Sequence, residues 1–231
     1  MKNKVKFLLV GLSFTLLLKG AEAQEMGLSF SYFIPKNGYL STPVSPFSIR
    51  GLGVGLNDYI SLETGFSLYR MAGLNIIDIP YESKDALLGP NFTLFVPAEL
   101  VFGLSGQSLT WKVKGGGFAF YGFDNKLNYG NIDRLLRESE NWEIVNANLN
   151  FSNNPGFGFH FGTEFTFYVN RQFGITLEGN YLMGNAKFPL SGSYRAVNSA
   201  GEIQNINLDY SNARIDFTGF EISLGVVFST R

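Results

Sequence analysis

The chain has 231 residues, of which 45% are apolar and 16% charged, with 23 phenylalanines, one histidine and no cysteine. That length suits one domain or two small ones, and that apolar share argues against disorder. The absence of cysteine excludes a disulfide framework and a lipid-modified cysteine anchor, and a formal net charge of −1 offers nothing to a nucleic acid.

The first element reads MKNKVKFLLVGLSFTLLLKGAEAQ. Lys2, Lys4 and Lys6 precede an apolar run from Phe7 to Leu18, and Ala21-Glu22-Ala23 comes next, ahead of Gln24. A basic start, a short apolar stretch and a small-residue cleavage site are the parts of a secretory signal peptide over residues 1–23. The expectation is an exported chain whose mature domain is 24–231. Removing Lys2, Lys4, Lys6, Lys19 and Glu22 leaves 14 basic against 18 acidic residues, a net charge of about −4. No later segment approaches the ~18 consecutive apolar residues of a spanning helix.

From Gln24 onward the hydrophobic pattern has period two. Alternation predicts strands over 26–34, 47–56, 59–70, 91–103, 108–121, 156–169, 173–183 and 214–228, long by the standard of ordinary strands of about 5 or 6 residues. In 156–169, Phe157, Phe159, Phe161, Phe165 and Phe167 share one face. The joints alternate in length: tight turns at Asn57-Asp58, around Ser105-Gly106 and at Asn170-Arg171-Gln172, and long loops elsewhere. Both ends of the mature chain and all tight turns therefore lie at one end of the sheet. The expectation is an all-β, eight-stranded antiparallel up-and-down transmembrane β-barrel with short periplasmic turns and four long extracellular loops.

In strand number, loop alternation and the aromatic Phe228 near the end of the last strand, the chain resembles the small eight-stranded outer-membrane barrels of the OmpA/OmpX type and the outer membrane protein beta-barrel domains. The likeness lies in architecture and not in a short motif. That family commonly finishes on an aromatic residue, whereas this sequence reads Phe228-Ser229-Thr230-Arg231.

A soluble lipocalin-like barrel would share the alternation with the apolar face inward. A water-facing surface carries roughly 25 to 35% charged residues, yet the polar faces here hold mostly Gly, Ser and Thr with isolated groups such as Glu99, Glu164 and Glu178. The phenylalanines are therefore expected to face lipid, with small residues inside leaving room for a few large polar ones.

Register then places the charges. A two-residue turn at Ser105-Gly106 sets Phe102 opposite Leu109, Leu100 opposite Trp111 and Glu99 opposite Lys112. A three-residue turn at 170–172 sets Phe167 opposite Ile175 and Glu164 opposite Glu178, two carboxylates that need a cation, for which Lys112 and Lys114 lie close. Phe47 and Ile49 differ in phase from Leu52 and Val54, so a bulge near Gly51 turns Arg50 inward, and a similar break near Gly219 turns Glu221 inward. Glu63 and the single histidine, His160, share the inward face. The expected site is one interior ionic layer: Arg50, Glu63, Glu99, Lys112, Lys114, His160, Glu164, Glu178 and Glu221. Structural ion networks and active sites perturb such groups alike; with no route for a substrate, no catalytic residue, metal ligand or cofactor is assigned.

In the loops, NIDRLLRESENW predicts a short surface helix capped by Asn131 with Leu135 and Leu136 as an apolar patch. The alternation of Ile206, Leu208 and Tyr210, with turn residues from Asn198 to Gly201, predicts that the seventh and eighth strands continue beyond the membrane. The expected role is a monomeric protein of the cell outer membrane, set among lipid and lipopolysaccharide, with its barrel as anchor and its loops as a surface for an extracellular protein. The alternatives are a narrow pore for small solutes and an outer-membrane lipid-modifying enzyme.

Overall fold

A computed structural model describes residues 25–40 and 42–229, and side chains from Met26 to Leu40 and from Ser48 onward. The expectations for the signal peptide, for Gln24, for the Phe47 side chain and for Thr230-Arg231 lie outside the described residues.

Eight long strands form the wall: β1 (Glu25–Pro35), β3 (Thr42–Gly55), β4 (Ile60–Met71), β7 (Asn91–Ser105), β8 (Leu109–Phe123), β10 (Gly156–Tyr168), β11 (Phe173–Lys187) and β15 (Gly219–Ser229). Each pairs antiparallel with its neighbours in the order β10-β8-β7-β4-β3-β1-β15-β11, and β10 pairs with β11 to close the barrel. Closure removes the unpaired edges that hydrocarbon does not tolerate. Two of the tight turns are built by asparagine: Asn57 Oδ1 accepts from the N–H of Tyr59 and Ile60, and Asn170 Oδ1 from Gln172 and Phe173. Such side-chain capture of the backbone is why asparagine ends strands.

The alternation sorts the side chains. Phe157, Phe159 and Phe161 are 68%, 72% and 58% exposed, and Leu100, Leu177 and Leu224 also point outward, while Glu99 and Glu221 are 3% and 0% exposed. The soluble carrier with apolar groups inward is thereby excluded. Tyr59, Phe102, Trp111, Phe167 and Phe228 lie toward the turn end of this greasy exterior, and Tyr121, Phe123 and Phe157 toward the loop end. An apolar band between aromatic girdles is the surface of a membrane-spanning barrel. Leu177→Arg on this band is expected to lower stability in lipid vesicles by about 2–4 kcal/mol, while arginine at Ser191, beyond the band, changes it little; urea unfolding of both measures the contrast.

Register agrees with the expectation at one turn and departs from it at another. Phe167 pairs with Ile175 and Glu164 with Glu178. At the other, Ser105 pairs with Thr110, so Glu99 lies opposite Gly116 and Lys112 opposite Gly103, and the pairings Phe102 with Leu109 and Leu100 with Trp111 do not occur. The reason is the turn itself, which runs through Gly106-Gln107-Ser108-Leu109 and is closed by the Gly106 N–H donating to the Leu109 carbonyl at 2.8 Å. Both phase breaks are real. One extra residue lies on β3 between Ile49 and Leu52, with Gly51 at φ 75°, a conformation costly for any residue with a Cβ. The last predicted strand is likewise divided into β14 (Arg214–Asp216) and β15, with Phe217 and Thr218 between them. Pro97 sits in the middle of β7, where the ladder to β4 is interrupted opposite Gly65-Phe66, so its missing N–H costs no hydrogen bond.

The loops are more ordered than a set of connections. β9 (Ile144–Phe151), β12 (Leu190–Val197) and β13 (Ile203–Tyr210) form a three-stranded sheet standing on the barrel rim. Short pairs β2 (Gly38–Tyr39) with β5 (Gly73–Leu74), and β6 (Ile76–Ile77) with β14, tie the remaining loops down. Helix α1 spans Tyr129–Glu140, and its cap is Asn128, not Asn131. The Asn128 side chain accepts from the Asn131 N–H, while the Asn131 amide is buried and donates to the Ala86 carbonyl at 2.8 Å. Capping falls to the residue with non-helical backbone just before the first turn, and Asn131 is already inside it. Leu136 is buried and Leu135 partly so, packed with Leu74, Ile76, Leu87, Leu88 and Leu127 into a lid over the loop end of the barrel.

Candidate functional site

The barrel interior is stratified. At the turn end lies a polar recess of about 90 Å³ lined by Gly53, Asn57, Ser61, Glu63, Gly103 and Lys112. Above it the inward positions of the strands converge on a ring of charges. Ser61 Oγ donates to Glu63 Oε1 at 2.7 Å, and Lys112 Nζ reaches Glu63 at 3.4 Å and Glu164 at 4.0 Å. Lys114 Nζ lies between the two facing carboxylates, hydrogen-bonded to Glu164 Oε2 and 3.2 Å from Glu178 Oε1. Asn180 Nδ2 bridges Glu178 (2.8 Å) to Glu221 (2.7 Å), and Glu221 Oε1 accepts from Arg50 Nη2 at 2.6 Å and from the Tyr69 hydroxyl. Arg50 Nη1 and His160 Nε2 lie 3.9 and 3.6 Å from Glu99 Oε1. Serines complete the circuit where β1 passes, Ser31 Oγ lying 2.9 Å from Ser48 and 2.7 Å from Ser223.

All nine residues named from the sequence therefore face one space, and Lys114 takes the position between Glu164 and Glu178. Close approach is possible because glycines face the large side chains: a Cβ on Gly162 would collide with Asn180 Oδ1, and one on Gly116 with the β7 backbone beside Glu99. Five carboxylates face three fixed cations here, and Glu99 Oε1, Arg50 Nε and both His160 nitrogens have no hydrogen-bond partner among the described residues. Such a ring binds strands to one another from within; pairing and hydrogen bonding are the conditions under which buried charge is tolerated.

Above the ring the interior is greasy, contrary to the expectation of small residues inside. Phe33, Tyr69, Phe95, Phe118, Phe120 and Phe217 are buried around the axis. Phe217 stacks on Phe33 at 4.5 Å and on Phe120 at 4.4 Å, Phe95 lies 4.9 Å from Phe118, and the Arg50 guanidinium lies 5.4 Å over the Phe95 ring. The residues that sequence reasoning missed are these six aromatics and Asn180. Their signal was present: Phe95 shares the parity of Glu99, Phe118 and Phe120 that of Lys112 and Lys114, and Tyr69 that of Glu63.

The lid has its own polar anchors. Tyr81 donates to Glu140 Oε1 at 2.5 Å, and burial together with this bond pushes its hydroxyl above the ordinary tyrosine range. Burial also raises Tyr210 beside it. Asp133 accepts the Ala147 N–H at 2.8 Å, tying α1 to β9, and burial raises its carboxyl against the opposing pull of that bond. A phenol kept neutral in the folded state favours folding below its ordinary value near 10 and loses that contribution only as pH rises beyond it, so the Tyr81–Glu140 contact persists through neutral pH. Among the described residues no cluster of three or more His, Asp or Glu is arranged to hold a metal ion.

No family model and no curated protein sequence matches the chain. Among solved structures it is similar to the attachment invasion locus protein Ail of Yersinia pestis, at 11% identity and a TM-score of 0.33 over 88% of this chain and 94% of the other. It is also similar to the outer membrane protein AlkL in lipid bilayers, at 11% and 0.38 over 90% of each chain. Outer membrane protein W of E. coli gives 11% and 0.35 over 91% of this chain and 99% of the other. The fold itself stands on the strand pairing and the sorted faces: the chain is a closed, eight-stranded antiparallel membrane β-barrel.

Proposed function

We propose that this protein is a monomeric surface protein of the outer membrane, whose barrel is a closed anchor and whose extracellular sheet, helix and loops form a recognition surface. The observation that carries the reading is the filled interior. The recess at the turn end reaches the Lys112–Glu63 pair, a void of about 20 Å³ lies beyond it within the ionic ring, the Phe217 cluster lies above that, and the Leu88–Leu136 lid closes the top. An eight-stranded barrel is just wide enough for its own side chains, and here the side chains use that width. Recognition then falls to the outward loops, the usual place for function on a rigid scaffold.

The same filling speaks against the narrow pore and against catalysis by the charges, since Glu63 and Lys112 meet a recess of only about 90 Å³ and Arg50, Glu164 and Glu178 a void of about 20 Å³. In planar bilayers the purified barrel is expected to give no unit conductance; discrete channel steps would overturn the anchor reading. Incubation with lipopolysaccharide labelled in its acyl chains is expected to release or transfer none. Outer-membrane residence is tested by fractionation of the native cell and by anomalous migration of the unheated protein on a gel.

A further inference from the structure

The outward faces of β11 and β12 are continuous. On β11 the outward residues run Ile175, Leu177, Gly179, Tyr181 and Met183, then change to Asn185 and Lys187. Only Phe188 and Pro189 separate β11 from β12, and the same odd positions continue outward as Ser191, Ser193 and Arg195. The sheet face above the lipid band is therefore the upward extension of that band, turned toward whatever surrounds the barrel just outside the hydrocarbon.

Pairing sets this face in rows. Asn146, Arg195 and Asn205 lie side by side, and Asn148, Ser193 and Asn207 form the next row. Asn150, Ser191 and Asp209 form a third, and Ile144, Val197 and Ile203, both isoleucines exposed, form an apolar row at the edge farthest from the barrel. Neighbours across strands stand ~4.8 Å apart and rows ~7 Å apart. The five asparagines are exposed, and none of their side chains has a hydrogen-bond partner among the described residues. A solvated face ordinarily carries roughly 25 to 35% charged residues of both signs; this one has a single Arg195 offset by a single Asp209. Each amide presents one acceptor and two donors, so the face is a flat grid of neutral groups able both to give and to accept. That matches a ligand dense in hydroxyls. With a single cation it does not suit a densely anionic segment, so the sugars it fits are uncharged ones, whose apolar C–H faces also suit the Ile144–Ile203 row.

We propose that the outward face of the β9-β12-β13 sheet binds uncharged sugars of the lipopolysaccharide surrounding the barrel, through Asn146, Asn148, Asn205 and Asn207 with Ser193 at the centre. The inference rests on the reading that the barrel sits in the outer membrane, and its source is chosen by continuity with the lipid-facing wall.

The test uses the full mature chain in nanodiscs of phospholipid alone, of lipid A, or of lipopolysaccharide carrying its saccharide. The chain has no cysteine, so Ser193→Cys, a near-isosteric change, gives one site for a water-soluble maleimide, and Ala200→Cys in the β12–β13 turn gives a control. Labelling at 193 is expected to slow about tenfold, a difference of about 1.4 kcal/mol, only in discs bearing the saccharide, with position 200 little affected. Adding Asn148→Ala and Asn207→Ala is expected to restore the rate. Equal slowing in lipid A discs, slowing that survives the two alanines, or no slowing at all overturns the proposal. Slowing by released polysaccharide but not by lipopolysaccharide discs overturns its source in favour of a free glycan. Failure to insert into phospholipid discs, seen before any labelling, overturns the membrane reading and with it this one.

Discussion

Lys114→Met is expected to destabilise the barrel by about 3–5 kcal/mol, the range for removing one partner of a buried ion pair. The lysine lies between Glu164 and Glu178, directly opposite each other on β10 and β11, and its side chain is 1% exposed. Without it two carboxylates face one another with no cation between them, and the Lys112 Nζ, 4.0 Å from Glu164, is already shared with Glu63. The triple variant Lys114→Met, Glu164→Gln, Glu178→Gln is expected to recover most of the loss, because the penalty lies in unpaired charge and not in the missing lysine. Urea unfolding from lipid vesicles measures both. A loss below about 1 kcal/mol for Lys114→Met, the worth of a solvated surface pair, would show that water reaches the ring and that it does not bind the strands together.

Phe217→Ala is expected to cost about 3–5 kcal/mol, the range for emptying a buried phenylalanine site. Phe217 is fully buried and lies against Phe33, Tyr69, Phe95, Phe118 and Phe120, so these neighbours have no direction in which to collapse without losing their own stacking. The position between β14 and β15 makes it a side chain that the strand break itself delivers to the axis. The variant barrel is nonetheless expected to stay silent in planar bilayers, because the ionic ring beneath is untouched. Conductance on removing this one ring would place the seal in the aromatic layer alone.

These two residues also mark how far local pattern reaches. Lys114 was legible because side-chain parity is a property of a single strand: once Phe157 to Phe167 define an outward face, Glu164 is inward by counting, and the three-residue turn at 170–172 sets Glu178 against it. The bulges at Gly51 and near Gly219 were legible for the same reason, as breaks in a count. Phe217 was harder to read. It lies inside the second of those breaks, and an aromatic there has the same composition as an aromatic facing lipid.

The turn after β7 shows the boundary most plainly. Ser105-Gly106 and the four-residue turn 106–109 are both compatible with the letters, and the difference moves Lys112 from Glu99 to Gly103. Hydrogen bonding of Gly106 to Leu109 chooses between them, and that choice is made by the whole wall, since β8 must also match β10. By itself, then, the sequence determined the number of strands in the barrel wall, their direction, the alternation of turns and loops and the inward facing of the charged residues, because all of these depend on neighbours one or two positions away. Tertiary structure decided which inward charges meet, that the upper interior closes on aromatic rings, and that β9, β12 and β13 stand as one sheet above the rim. Those outcomes depend on register between strands far apart in the chain, and register is set only when the barrel closes and every strand must satisfy two partners at once.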